Sequence, residues 1–284
     1  MRVIKEHFTH PDHSFRFLRF STDLFRGRWH RHPQIELTWI ERGAGIRLVG
    51  DNTAPFASGD LVLLGANVPH LWTSTKVPDI GSSEASVIQF PRELLATAAF
   101  PELVGVQRIV ERARTGLLIS GACHTAIVRQ MIQMRVMPPL RRLTALFAIF
   151  DALARNENDL RPIATSAARN PVSDIQGSNR EKRIQPVVAW VHQRLSRPLL
   201  LADAARIAHI TPAAFSRFFH RETGKTFSRY VNEVRCSAAC LSLTNTDKPV
   251  ALIAEECGFT TLSNFNRQFL KQTGSTPLRY RNEK

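Results

Sequence analysis

Apolar and polar positions alternate in three different ways along this chain. Residues 30–72 run in short alternating or wholly apolar stretches, such as IELTWI and LVLL, broken by Gly, Asn and Pro. Period-two alternation between such breaks predicts strands joined by turns. Beyond residue 92 the spacing becomes helical, over Pro101–Arg114, Ala122–Val136 and Leu140–Arg155, the last with a strongly apolar face in LTALFAIFDALA. Residues 156–183 lose that periodicity and gain Pro, Gly, Asn and Ser, which predicts a flexible linker.

The helical pattern then returns twice in nearly the same form. Leu199–Ala208 and Pro249–Cys257 each carry apolar residues at helical spacing and end in a tight connection, His209-Ile210 and Gly258-Phe259. Gly258 tolerates a positive φ, and His209 occupies the equivalent turn less comfortably. Thr211 and Thr260 are the expected caps of the next helices, with Pro212 suited to a first helical position. Phe215, Phe218 and Phe219 make an inward stripe at i, i+3 and i+4. Ala213, Ser216, Arg217 and His220 are left on or beside the outer face. In the second copy Phe265 and Phe269 point inward while Leu262, Ser263, Asn266 and Arg267 face out. The repeat is close: Phe215, Arg217, Phe219, Thr223, Gly224, Thr226, Arg229 and Tyr230 return fifty positions later as Phe265, Arg267, Phe269, Thr273, Gly274, Thr276, Arg279 and Tyr280.

Two helix-turn-helix units predict a reader of duplex DNA. A helix over Tyr230–Leu243 would span about 20 Å, which with flanking turns holds two reading heads about one DNA turn apart, roughly 34 Å. Charge agrees with this. Residues 180–284 carry 17 Lys and Arg against 8 Asp and Glu, within a chain of net charge +14, so the excess sits where a phosphate surface is needed. Arg217 and Arg267 are the expected base readers, since arginine grips guanine bidentately. Asn266 suits adenine in the same way. Arg206, Arg221 and Arg235 read as solvated surface.

Residues 184 to 281 resemble the DNA-binding domain of the AraC/XylS family of transcription regulators, above all in IAEECGFTTLSNFNRQFLKQTGSTPLRYR. The resemblance implies two helix-turn-helix units on one long helix, each placing a recognition helix in successive major-groove segments. Further upstream, H-x-H-x3-E at His30, His32 and Glu36, with Gly59-Asp60 and Pro69-His70, resembles the cupin-type β-barrel that is the usual sensor half of such regulators. The expected fold is therefore α+β in two domains. Residues 1–155 form a cupin-like effector-binding and dimerisation domain with accessory helices, 156–183 the linker, and 184–284 an all-α DNA-binding domain.

His30, His32, Glu36 and His70 match the positions that hold a metal in enzymatic cupins. If one strand ran through 30, 32 and 36, they would share a face. Three imidazoles and a carboxylate suit Zn, Fe, Mn or Ni. Direct contact with an effector is the preferred reading over a metal, and Trp39 and Trp72 are expected to line the same cavity. The implied partners are double-stranded DNA, a small-molecule effector, a second copy of the chain and, for an activator, RNA polymerase. A cupin metalloenzyme carrying a DNA-binding domain is the alternative, and no catalytic residue is assigned. The start, MRVIKEHFTH, lacks the apolar core of a signal peptide, and no stretch is apolar enough to span a membrane, so a cytoplasmic location is expected. Cys123, Cys236, Cys240 and Cys257 have no metal-binding spacing and read as reduced core thiols.

Overall fold

The computed structural model describes residues 14–74, 82–166 and 174–283. The N-terminal residues read above and positions 167–173 of the expected linker lie outside the described residues.

The N-terminal half is two antiparallel sheets with helices on one side. Its strands are β1 (Arg16–Thr22), β2 (Ile35–Arg42), β3 (Gly45–Val49), β4 (Asn52–Phe56), β5 (Leu61–Leu64), β6 (His70–Ser74), β7 (Ser83–Phe90), β8 (Leu117–Ile119) and β9 (Leu160–Pro162). They pair as β1-β7-β2-β5-β8-β9 and as β4-β3-β6. Among the described residues the expected closed barrel is not formed: the two sheets are separate ladders, and the segment between β1 and β2 bridges to β6 at Arg26–Thr73 and His30–His70.

Alternation along the strands sorts side chains into layers. On one side of the six-stranded sheet, Ile35, Leu37, Leu61, Leu63, Ile88 and Phe90 are buried with α1 (Val104–Arg112), α2 (Gly121–Met134) and α3 (Pro139–Arg155). The apolar face foreseen for α3 supplies Leu146, Ile149, Phe150 and Leu153 to that core. The single helix expected over residues 101–114 is instead α1 between two short 3-10 turns. Between the sheets lie Ile40, Val49, Phe56, Val62, Leu64, Trp72 and Ala85. Asp60 of the Gly-Asp signal forms a buried ion pair with Arg47 at 2.5 Å.

The C-terminal half is all helical: α4 (Asp174–Gln193), α5 (Leu201–Ile207), α6 (Pro212–Thr223), α7 (Phe227–Asn245), α8 (Val250–Glu256), α9 (Leu262–Thr273) and α10 (Pro277–Asn282). Two features depart from the linker assigned to 156–183. Leu160–Pro162 pairs with β8, and α4 begins at Asp174, so residue 184 falls inside a helix. Ile184, Val187, Val188 and Val191 make α4 part of the helical core, which is why the helix extends through a segment whose sequence shows little periodicity.

The halves are packed together. Ile46, Leu48 and Leu71, on the outer face of the three-stranded sheet, and Trp29 from the segment before β2 share one apolar cluster with α4, α6 and α7. Polar contacts join it: Lys225 Nζ donates to Thr53 Oγ1 at 3.2 Å, and Gln272 Nε2 donates to the Thr53 carbonyl at 3.4 Å.

Candidate nucleic-acid interface and sensor cavity

Each reading head is built from the repeated residues. In the first, α5 and α6 meet across His209, whose φ is 56°; in the second, α8 and α9 meet across Gly258 at 87°. A Cβ on Gly258 would lie 2.1 Å from the Leu195 carbonyl oxygen, so glycine is needed there for space as well as conformation. Thr211 Oγ1 caps α6 by accepting from Ala214 N at 3.4 Å. In the second head Thr261, not Thr260, does the same for Asn264 N at 3.2 Å. Both helices end on a left-handed glycine, Gly224 and Gly274, whose N–H donates to His220 O and Leu270 O.

The aromatic cores repeat as well. Phe215–Phe219 and Phe219–Tyr230 ring centroids stand 5.5 and 5.4 Å apart, matched by Phe265–Phe269 and Phe269–Tyr280 at 5.4 and 5.5 Å. Burying these rings leaves the opposite face open. Ala213, Ser216, Arg217 and His220 on α6, and Leu262, Ser263, Asn266 and Arg267 on α9, are all exposed. Arg267 Nη2 donates to Asn264 Oδ1 at 2.9 Å.

Other arginines have different work. Arg229 and Arg279 pair with Glu233 and Glu283 one helical turn on. Arg235 is not solvated surface: its guanidinium donates to the carbonyls of Leu195 and Arg197, tying α7 to the loop after α4. Arg206 and Arg221 stay exposed, beside Asp203 and Glu222. All four cysteines are free and buried, and burial pushes Cys123 up to about 11 and Cys257 up to about 12.

The second site is a cavity of about 320 Å³ in the N-terminal half. His30, Glu36, His70 and Trp72 line it, together with Thr38, Gln89 and the apolar Phe20, Phe25, Ile40 and Val87. His32 reaches Glu36 from the end of the cavity, with Nε2 3.0 Å from Oε2. Trp39 does not belong. β2 starts at Ile35, so 36, 38 and 40 face the cavity while Trp39 packs toward the helices, under the Arg135 guanidinium. His30 and His32 likewise precede β2: the loop, and not a shared strand, brings His32 to Glu36 and His30 to His70.

Glu36 is the electrostatic centre. Its Oε1 accepts from Thr38 Oγ1 at 2.6 Å and its Oε2 from Gln89 Nε2 at 2.8 Å. Burial works to raise its pKa, but His70 and His32 outweigh burial and hold it well below the carboxylate range. Burial pushes His70 down to about 4, whereas the Glu36 contact outweighs burial at His32 and raises it. Trp72 is only 9% exposed, and its Nε1–H is buried without a hydrogen-bond partner among the described residues. Thr38 shares the strand parity of Glu36 and was legible on that ground; Gln89, on a distant strand, carried no local signal.

Comparison with known proteins agrees with the repeat. A helix-turn-helix domain family matches residues 204–283. The chain is 35% identical over 95 residues to the HTH-type transcriptional regulator YobQ of Bacillus subtilis, spanning 34% of this chain and 39% of that one. It is 28% identical to the regulatory protein SoxS of Escherichia coli over 36% of this chain and 96% of SoxS. Similarity to the HTH-type transcriptional activator RhaR of Salmonella schwarzengrund extends further, at 23% identity over 93% of this chain and 89% of RhaR. With paired, capped and glycine-terminated recognition helices on a shared spacer helix, residues 204–283 form an AraC-type helix-turn-helix domain, and the chain as a whole is similar to regulators that carry it.

Proposed function

We propose that this protein is an effector-responsive activator that lays α6 and α9 in two successive major-groove segments and adjusts that reading to a small molecule in the N-terminal cavity. Residues 1–155 would act as sensor and the helices from α4 onward as reader. Arg217 and Arg267 are the base-reading side chains, with Asn266 beside them, and Ala213, Ser216, His220, Leu262 and Ser263 complete the two contact faces. His30, His32, Glu36, His70 and Trp72 contact the effector or hold what contacts it. The cupin comparison is carried by these residues and their place between two sheets.

One observation supports the coupling most directly. The three-stranded sheet lines the cavity with His70 and Trp72 on one face and meets the reader with Leu71, Ile46 and Leu48 on the other. A ligand that moves β6 therefore acts on a sheet whose reverse side holds α4 and α7. A homodimer fits the exposed apolar positions Ile132, Val136 and Leu140 around the α2–α3 connection, and recruitment of RNA polymerase follows from an activator role.

The test is recovery and sequencing of DNA bound by the full chain, then binding titrations on the recovered site against random duplex. Site-selective binding that Arg217→Ala and Arg267→Ala relax supports the reading; equal affinity for every duplex refutes it.

A further inference from the structure

The two reading heads present their arginines differently. Residues fifty positions apart match in burial along the two recognition helices: Ala214 and Asn264 are half-buried, Phe215 and Phe265 buried, Arg217 and Arg267 exposed. Equivalent places therefore face the same way, and only the chemistry changes between them. Asn264 lies one helical turn before Arg267, and its Oδ1 accepts from Arg267 Nη2 at 2.9 Å. The methyl of Ala214 offers no acceptor in that place, and the Arg217 guanidinium has no hydrogen bond or ion pair among the described residues.

A second difference runs in the same direction. Ser216 Oγ donates to Pro212 O at 3.2 Å, so its hydrogen is spent inside α6. Its counterpart Asn266 is exposed, and its side-chain amide has no hydrogen bond among the described residues. Donor and acceptor are both open to an adenine edge. His220, the other polar group on the outer face of α6, sits in the last turn of that helix. Recognition helices touch bases with their N-terminal residues, so His220 is placed for phosphate. The second head thus offers a neighbouring pair of base readers, and the first a lone arginine.

Holding a guanidinium matters partly through what it prevents. Immobilising a long side chain is one of the costs of binding, and a side chain oriented in advance has met it already. An unheld arginine also has a second option. When its guanine is replaced it swings to a phosphate, which carries no sequence information, and recovers part of the lost contact. Arg267 must give up Asn264 to do so. One bond to Asn264 leaves N–H groups of the rigid fork for both acceptors of a guanine edge. The correct base therefore gains affinity while the wrong one is denied a substitute contact.

We propose that Asn264 is a positioning residue that aims Arg267, and that the second head consequently fixes the sequence of its half-site more stringently than the first. The inference rests on reading α6 and α9 as the base-contacting helices. Fixing one rotamer-rich side chain in advance corresponds to about 2- to 10-fold in the affinity ratio between right and wrong base.

The experiment uses the full chain and sites selected from a randomised duplex pool, with each base pair of the recovered site then changed in turn and its affinity ratio measured by competition. Loss of preference in Arg217→Ala and in Arg267→Ala assigns one base to each head. The base read by Arg267 should be discriminated about 2- to 10-fold more strongly than the one read by Arg217. Asn264→Ala should lower the first ratio to the level of the second and leave affinity for random duplex unchanged or higher. Asn264→Asp keeps an acceptor oxygen and should restore the ratio, and Ala214→Asn should raise that of Arg217. Alanine is the better helix former, and the backbone N–H of residue 264 keeps its Thr261 cap, so α9 stays folded in Asn264→Ala. Equal ratios for the two heads in the wild type, or an Asn264→Ala ratio that is unchanged or higher, overturn the proposal. So does a loss of preference at every position alike, which would assign Asn264 to the stability of the head. A pool that yields no preferred site fails differently: it removes the base-reading role of both helices and this inference with it.

Discussion

Leu71→Ala isolates the mechanical link between cavity and reader. Leu71 follows His70 on β6, so its side chain leaves the opposite face of the sheet, where it is 2% exposed in the cluster with Trp29, Ile46, Leu48 and the valines of α4. Truncating a buried leucine to alanine costs about 3–5 kcal/mol where the walls are rigid. A seam between two packed halves relaxes more than the centre of one core, which puts the expected loss near 3 kcal/mol and the drop in Tm at about 6–10 °C. Leu63→Ala is the control, since Leu63 is equally buried but packs toward α1–α3. Hydrogen exchange read along the chain distinguishes the two. In Leu71→Ala the amides of α4 and α7 should exchange faster than in wild type, while in Leu63→Ala the gain should concentrate in the six-stranded sheet and its helices. Should both variants accelerate α7 equally, or neither do so, the three-stranded sheet would not be the surface that steadies the reader.

The remaining predictions concern the reader. Arg217→Ala and Arg267→Ala should each cost about 1–3 kcal/mol on the bound site and relax preference at one base, whereas Arg229→Ala, already paired with Glu233 at 2.8 Å, should alter all sequences alike; competition titrations against random duplex measure the difference. Thr261→Ala should lower stability by about 1 kcal/mol by freeing the Asn264 N–H, and Thr261→Ser should restore it, with Thr260→Ala neutral in the same melts. His192 is half-buried with its ring against the Tyr230 hydroxyl, and desolvation there pushes it down to about 4. The unfolded chain therefore takes up its proton first as pH falls. The stability from this group is complete above about pH 6.5 and drains toward pH 4, to a total of about 3 kcal/mol. Denaturant titrations across that window should show the slope, flattened in His192→Asn; an equal slope in both proteins would remove His192 as its source.

The reader was legible because its determinants are local. Threonine caps, left-handed glycines and an i, i+3, i+4 aromatic stripe each act within a few residues, and their repetition fifty positions apart fixed both helices. Thr260 for Thr261 is a single step between two adjacent threonines that the turn geometry decides, and Arg235, read as surface, is held by carbonyls of the loop after α4 that lie some forty residues away. The N-terminal cavity was read less well because it is assembled across strands. Extending a strand back to residue 30 made His30, His32 and Glu36 look like one face, whereas β2 begins at Ile35; Trp39, three residues from Glu36 on that strand, points the other way. Gln89 and the apolar wall from β1 and β7 come from pairing that no local pattern announces. Lys225, just after a helix cap, carries no local signal of burial. Only tertiary packing buries it, against Thr53 and Glu233.

That lysine marks where the two heads cease to be equivalent. The Lys225 N–H donates to Thr223 Oγ1 as that of its counterpart Ser275 donates to Thr273 Oγ1, but the Lys225 ammonium crosses to β4 and pairs with Glu233 of α7. The sheet thus holds the first head and the spacer helix, and Gln272 reaches the same strand from the second head through Thr53. At 19 residues α7 is about 28 Å long, close to the roughly 34 Å between major-groove segments one turn apart. A spacer of that length fixes the separation and relative twist of α6 and α9, so a small tilt of α7 on β3 and β4 moves both faces together. Regulation through this contact would change the fit to two adjacent groove segments without altering a single base-reading side chain, and the sheet bearing His70 on its other face is the element placed to cause it.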